Sequence, residues 1–431
     1  MNLAYLSADF GVPVFGFKGA SIHVREMCAA LRRDGHPVCV ISPATALEES
    51  GQQQPGDQRE AAPPASPFLP PAQRRGELTF LSVTPPEKHK QILKDCEALD
   101  KFWGMKTRLR QELRNQFYNL TLYEAALAYL RSCPVDFIYE RYSLFGHAGL
   151  RLARELGVPH LLEVNAPLAY EQEKMRGLEM KELAAASERR LFQGTDRVLV
   201  VSRPLQEFVH ACEVPLERIQ ILPNAVDPQK FISAEEGRAV RAHYGWHGKC
   251  VIGFVGSLKP WHGTETLLQA FHHLQAPHAH LLIVGDGPGR EALEEYARAH
   301  DLTARVTFTG NVPHEQIPDY IAAMDVTVAP YTPNENFYYS PIKIFEYMVM
   351  GKPVVAGALG QVRDLIADGE TGLLFEPGNL EQLTTALRTL ANDQALCARM
   401  GRRAKAWVLQ EHTWENNARK VVAIAKEFAK S

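Results

Sequence analysis

A lysine and a glutamate three residues apart are the most chemically suggestive pair in this 431-residue chain. They lie in Tyr339-Ser-Pro-Ile-Lys-Ile-Phe-Glu-Tyr-Met-Val-Met-Gly-Lys-Pro-Val-Val-Ala356. Ser340 suits an N-cap and Pro341 the first helical position. Gly351 suits the helix end, ahead of a short apolar strand at Pro353–Ala356. The pattern predicts a helix over 341–350, with Ile342, Phe345 and Val349 on the face that packs on a sheet. Lys343 and Glu346 then share another face. A helix N-terminus beside a lysine is an anion site, suited to a phosphate. Glu346, a turn deeper, is placed to accept hydrogen bonds from hydroxyl groups. Periodicity alone favours a plainer arrangement, an exposed i,i+3 ion pair.

The elements that must position this helix follow an alternating rhythm. Leu3–Ser7 reads as a strand, followed by a Gly-rich loop from Gly11 to Gly19, a helix marked by Ile22, Met27 and Leu31, and a second strand over 37–42. Residues 49–76 are rich in Pro, Gln and Gly without a period, and read as a long surface loop inserted within the first domain. Residues 95–131 read as one helix, with Met105, Leu109, Leu113, Phe117 and Leu120 as its core stripe. Lys101, Lys106, Arg108, Arg110 and Arg114 decorate it. A basic amphipathic helix can lie on an anionic membrane or grip an anionic acceptor. The plainer alternative is a solvated face above a core stripe.

Further strands are predicted over 137–140, 160–164 and 197–202, and then, after Ile221-Leu-Pro-Asn-Ala-Val-Asp227, over 251–255, 280–284, 306–308, 326–329 and 353–356. Residues 378–431 read as helical. Alternation of this kind implies parallel sheets covered by helices on both faces. Two such domains in tandem would face each other across a cleft lined by strand C-terminal edges, where α/β sheets bind ligands.

Composition agrees with a soluble globular chain: 45% apolar and 23% charged residues. The net charge of −3, from 47 basic and 50 acidic residues, gives no global excess for nucleic acid. No apolar run reaches the ~18–20 residues of a membrane span. The start, MNLAYLSADFG, has no basic and long apolar segments of a secretion signal. Seven scattered cysteines without a CxxC predict reduced thiols, a cytoplasmic protein and no cysteine-based metal site.

The motif around Lys343 resembles the donor-binding helix of the family 4 retaining glycosyltransferases, which have the GT-B fold. Other segments resemble further motifs of that family, in its order: Gly16-Phe-Lys-Gly-Ala-Ser-Ile-His-Val24, Ile221–Asp227, Phe254-Val-Gly-Ser-Leu-Lys-Pro-Trp-His-Gly263, Leu282-Ile-Val-Gly-Asp-Gly-Pro288, Val306-Thr-Phe-Thr-Gly-Asn-Val312 and Asp364–Leu374. The resemblance is strong over most of 197–415 and moderate over 1–43. It implies an N-terminal acceptor-binding Rossmann-like domain, 1–226, and a C-terminal nucleotide-sugar donor domain, 227–411. A last helix within 412–431 would pack back on the first domain through Trp414, Val421, Ile424 and Phe428.

The resemblance also implies site residues. Glu346 would meet the nucleotide ribose. Lys343 and the amides at 341–343, following Ser340, Pro341 and Ile342, would meet the diphosphate. Gly256 and the glycines Gly16 and Gly19 would let backbone approach phosphate or sugar, and Gly285 opens a further strand-end loop. Asn311 and Val312 would meet the nucleobase. Asn224 and Asp227 would be structural. Departures from the pattern are also plain. The first of the family's paired glutamates falls on Tyr338, with Glu335 nearby. The family's usual Arg and Lys in the diphosphate loop fall on Ser257 and His262, and Lys259 is a replacement charge. The pocket histidine expected near residue 163 is Asn165, which can orient a hydroxyl but cannot act as a base; His23 is a second candidate for that pocket, or a packing histidine.

The implied activity is transfer of a sugar from a nucleotide-diphosphate sugar to a carbohydrate, lipid-linked or small-molecule hydroxyl, with retention. Lys343, Lys259, His262 and the helix dipole would stabilise the leaving diphosphate. No DxD pair is in place for a metal, so no metal or other cofactor is expected. A nucleotide-sugar epimerase of the same fold and a catalytically degenerate nucleotide-sugar-binding protein are alternatives. A dinucleotide oxidoreductase fits poorly, because Gly285-Asp-Gly-Pro-Gly289 lacks the third glycine and Arg290 stands in its place.

Overall fold

The computed structural model describes residues 1–16, 19–43, 73–75, 78–232, 234–334 and 337–428. Most of the 49–76 segment and Glu335 therefore lie outside the described residues.

Backbone contacts divide the chain into two compact units, residues 1–222 with the segment from Glu415, and residues 223–414. The first is built on an eight-stranded sheet. Its strands are β1 (Leu3–Ser7), β2 (Val38–Pro43), β3 (Gln73–Arg75), β4 (Leu78–Val83), β5 (Phe137–Arg141), β6 (His160–Val164), β7 (Arg197–Val200) and β8 (Ile219–Ile221). Their order is β3-β4-β2-β1-β5-β6-β7-β8, all parallel except β3, which pairs antiparallel to β4. Leu3 sits opposite both Val38 and Phe137, which fixes the central register.

The second unit holds six parallel strands. These are β9 (Cys250–Val255), β10 (Ala279–Val284), β11 (Val306–Phe308), β12 (Val326–Ala329), β13 (Val354–Gly357) and β14 (Gly372–Phe375), in the order β11-β10-β9-β12-β13-β14. Both faces of this sheet are covered, so its strands read as near-continuous apolar runs. Alternate residues part to opposite cores. Leu281 and Ile283 join helices 264–273 and 380–392 through Leu267, Phe271 and Leu387. Leu282 and Val284 join the helix Ile342–Val349 through Ile344, Phe345 and Met348.

Several expectations change. The stretch read as one helix over 95–131 is two, Glu87–Trp103 and Leu109–Ser132. Gly104 ends the first at φ 63°, a left-handed conformation that costs glycine nothing. The expected stripe is not core: Met105 and Leu120 are exposed, and the buried apolar residues of the second helix are Tyr118, Leu122, Ala126 and Leu130. Residues 378–428 form three helices, with breaks at Asp393 and at His412–Thr413. Strands β4, β8 and β14 were not foreseen, and β3 falls inside the segment read as loop.

The final helix, Trp414–Phe428, clusters from Glu415 onward with the first unit. Arg33 pairs with Glu415 at 2.6 Å, Asp34 with Arg419 at 3.4 Å, and Arg197 with Glu427 at 2.6 Å. The Arg197 guanidinium also lies 5.5 Å from the centre of the Phe428 ring. All seven cysteines are free thiols. Among the described residues no helix is long and apolar enough to cross a membrane, and no group of three or more His, Cys, Asp or Glu is placed to hold a metal ion.

Candidate functional site

In the second unit the strand order reverses between β9 and β12, the switch point where such sheets bind ligands beyond their strand C-termini. The residues picked from the sequence gather there. Gly256 and Ser257 follow β9, Gly285 follows β10, and Asn311 and Val312 follow β11. These loops are tied together. Gly256 N donates to Val284 O at 2.9 Å, and Gly285 N to Gly310 O at 3.0 Å. Leu258 N donates to Asp286 O at 2.9 Å.

The helix carrying Lys343 and Glu346 begins one residue later than expected, at Ile342, with Pro341 in the cap position. Ser340 is not its N-cap. Its hydroxyl instead accepts from Asn224 N at 2.9 Å, and its carbonyl accepts from Asn224 Nδ2 at 2.6 Å. The two residues thus fasten the start of the second unit to the entrance of the helix. Asp227 caps the next turn, accepting from Gln229 N at 3.0 Å. Pro341 has no N–H, so of positions 341–343 only Ile342 and Lys343 can offer amides to an anion. Nor is Ile342 a core residue. The buried apolar side chains are Ile344, Phe345, Tyr347, Met348 and Val349, with Val255 N donating to the Tyr347 hydroxyl at 2.7 Å.

Lys343 and Glu346 do not form the exposed ion pair that periodicity allowed. Glu346 is buried, and its carboxylate faces His314 at 3.3 Å. The Lys343 amine donates to His262 Nδ1 at 3.0 Å and lies 4.2 Å above the Phe254 ring. Loss of water drives its pKa down from 10.5 to about 7, against the pull of the Glu346 charge. Among the described residues no carboxylate lies within 4 Å of it. His262 is expected from sequence to add positive charge, and it does not. Burial, then the charges of Lys343 and Lys259, push its pKa down to about 3, so near neutral pH it is an acceptor for Lys343. Lys259 is exposed and rests 4.8 Å from the Trp261 ring.

The glycine at 256 is required twice over. Its φ is +143°, and a Cβ there would stand 2.6 Å from Lys343 Nζ. The site is therefore a compact, half-dehydrated cation whose only direct polar partner among the described residues is a neutral ring. Two first-turn amides stand beside it and a buried carboxylate lies one turn further on. Such a set takes an anion at the amine and hydroxyl groups at the carboxylate.

In the first unit the sequence reading selected Asn165 and His23 but passed over the group that joins them. Glu163, at the end of β6, is buried. His23 Nε2 lies 2.8 Å from it, Arg141 Nη1 donates to it at 2.8 Å, the Tyr139 hydroxyl donates at 2.6 Å, and Asn165 Nδ2 donates as well. Burial alone would raise the carboxyl's pKa, but His23, Arg141 and Tyr139 together hold it down at about 2. His23, 4% exposed, is thus a packed and paired histidine. The signal was available, for the carboxylate stands two residues before Asn165. Arg25, on the helix Gly19–Arg33, donates to Val14 O and Gly16 O at 2.8 and 2.6 Å, and holds the Gly-rich loop. Gly16 is buried and Gly19 is the exposed first residue of that helix. His314, Phe254 and Tyr331, the last with its ring centre 5.9 Å from Lys343 Nζ, were also missed.

Comparison with known proteins adds to this geometry. Residues 238–407 match the family model described as glycosyl transferases group 1, and residues 18–225 match that of the glycosyl transferase 4-like domain. A GDP-mannose-dependent alpha-mannosyltransferase of Mycolicibacterium smegmatis is 31% identical over 272 residues, 62% of this chain and 68% of the relative. The GDP-mannose-dependent alpha-(1-6)-phosphatidylinositol monomannoside mannosyltransferase of the same organism is 29% identical over 254 residues, 58% of this chain and 66% of the relative. The chain thus spans slightly less than two thirds of that second relative's length. Among solved structures, the Anabaena protein HepE in complex with UDP-glucose superposes with a TM-score of 0.67 at 19% identity, covering the whole of both chains. The fold is GT-B.

Proposed function

The chain belongs to the family 4, group 1 glycosyltransferases, and we propose that it transfers a hexosyl group from a nucleoside-diphosphate sugar to a hydroxyl acceptor with retention of anomeric configuration. The observation that carries this reading is the Lys343 amine. It is half-buried at the β9–β12 switch point, held over Gly256, and lacks a carboxylate partner among the described residues. A diphosphate supplies the charge that the site leaves unbalanced.

In this reading the second unit binds the donor and the first binds the acceptor. The amine of Lys343, the amides of Ile342 and Lys343, and the exposed Lys259 take the diphosphate. His262 orients the amine. Glu346 accepts from the ribose hydroxyls, and Asn311 and Val312 border the base. As the acceptor oxygen bonds to the anomeric carbon, the bond from that carbon to the diphosphate oxygen breaks. The acceptor proton passes to the departing diphosphate on the same face. The protein contributes charge stabilisation and alignment, and needs neither a metal nor a side-chain base. Asn165, and the buried Glu163 cluster that fixes it, would face the acceptor side. The unpaired cysteines support a cytoplasmic location.

The named relatives point to GDP-mannose, and the structural neighbour to UDP-glucose. Incubation with each, with and without a small hydroxyl acceptor, tests the reading. The expected result is release of nucleoside diphosphate and a glycoside whose anomeric configuration, read by NMR, matches the donor. An inverted product removes retention. A free epimer made without acceptor assigns an epimerase, and binding without turnover assigns a non-catalytic protein.

A further inference from the structure

The hairpin of helices Glu87–Trp103 and Leu109–Ser132 ends in an apolar tip that the described residues leave uncovered. Leu99 is 58% exposed, Phe102 75%, Trp103 68% and Met105 55%. Single exposed apolar residues are ordinary, but four large ones within seven positions form a patch. The first helix has little else to recommend it as a packing element, since Leu93 is its one buried residue.

The tip has a defined shape. The Asp100 carboxylate accepts from Thr107 N at 3.1 Å and from its hydroxyl at 2.8 Å. Met105 N donates to Asp100 O at 2.8 Å, across the left-handed Gly104. Asp100 is thereby consumed inside the turn. Around it stand Lys101, Lys106, Arg108 and Arg110. Arg110 pairs with Glu97 at 3.2 Å, and Arg108 Nε donates to Arg176 O at 2.8 Å. Lys101 and Lys106 are exposed and have no ion-pair partner among the described residues.

We propose that this tip docks on an anionic lipid bilayer, with Phe102 and Trp103 entering the interface and Lys101 and Lys106 meeting the headgroups. Tryptophan and phenylalanine beside unpaired lysines suit a membrane surface, where apolar area and charge act together. Protein interfaces, by contrast, are depleted of lysine at their apolar centres. No described helix can span a bilayer, so the contact is peripheral. The inference goes beyond the transfer reaction and stands without it.

Co-sedimentation of the full chain with vesicles tests it. One set is phosphatidylcholine alone, and the other an equimolar mixture with phosphatidylglycerol. The wild type should partition onto the mixed vesicles only, and less so at high salt. The double substitutions F102S/W103S and K101E/K106E, on an exposed turn, should keep the wild-type circular dichroism and melting temperature. Each should lower the partition at least tenfold. The tryptophan emission should shift to the blue on mixed vesicles, and W103F should remove that shift. Absence of partition, equal partition onto neutral vesicles, or variants that bind like the wild type would each overturn the proposal. So would a concentration-dependent dimer, lost in F102S/W103S without any vesicle binding, which would give the tip to a second copy of the chain.

Discussion

Replacing Lys343 with methionine should make the free protein more stable while weakening its hold on a nucleoside diphosphate. Loss of water brings the amine's pKa from 10.5 to about 7 in the folded chain, with the Glu346 charge opposing. Because the folded value lies below the unfolded one, the unfolded chain binds more protons between those two values. Folding is therefore penalised most below about pH 7, and the penalty fades toward about pH 10. The gap corresponds to roughly 5 kcal/mol at about 1.36 kcal/mol per tenfold change in proton affinity, and solvent screening of the half-buried amine reduces this to about 2–3 kcal/mol. Methionine fills similar space without charge, so the melting temperature should rise by several degrees near pH 6, with a smaller gain near pH 10. Ligand binding should move the other way. A hydrogen bond to a charged group is worth about 1.5–3 kcal/mol, roughly 10- to 150-fold in Kd for the diphosphate. The monophosphate, which does not reach the distal position, should lose less. Calorimetric titration near pH 8 in buffers of different ionisation enthalpy should show proton uptake by the wild type and none by Lys343→Met. A variant that melts lower and binds the diphosphate unchanged would refute the anion site.

Other consequences are as direct. Glu346→Gln should weaken nucleoside mono- and diphosphates by the same factor, about tenfold, because the ribose is common to both; unequal losses in the same titration would move the carboxylate off the ribose. Gly256→Ala should cost about 1–3 kcal/mol of stability in a urea melt, from its φ of +143°, and at least tenfold in diphosphate affinity by displacing Lys343. Glu163→Gln should cost about 3–5 kcal/mol by leaving the largely buried Arg141 charge uncompensated. In the wild type the stabilisation from that carboxylate, whose folded pKa is about 2, is present above about pH 5 and drains away as pH falls toward 2, which urea melts across that range should show. Turnover should survive EDTA; activity lost in chelator and restored by Mg²⁺ or Mn²⁺ would oppose the metal-free mechanism.

Much of the candidate site in the second unit was legible because its chemistry is local. A cap-like Ser-Pro, a lysine and a glutamate at helical spacing, and glycines at strand ends are all short-range signals, and parallel strands buried on both faces carry a strong apolar pattern. What escaped was set by long-range contact. Ser340 looked like a cap, yet its hydroxyl is taken by Asn224, 116 residues away. His262 looked like a charge, yet burial next to Lys343 keeps it neutral. Glu163 became meaningful only when β5, β6 and the helix Gly19–Arg33 brought Arg141, Tyr139 and His23 around it. The 95–131 stripe misled because its residues all follow the Gly104 break: Met105 falls in the turn, and the second helix turns a different face, that of Tyr118, Leu122, Ala126 and Leu130, to the core.

A crystal structure of the chain soaked with guanosine or uridine diphosphate decides whether Lys343 marks the diphosphate site. The distal phosphate should lie within hydrogen-bond distance of Lys343 Nζ and the amides that open its helix, with the ribose hydroxyls on Glu346. The second unit also has a cavity of about 550 Å³ at the opposite, N-terminal edge of its sheet, lined by Arg241, Lys249 and Lys352. A nucleotide bound there, with Lys343 still hydrogen-bonded to His262 and the switch point vacant, would contradict that assignment.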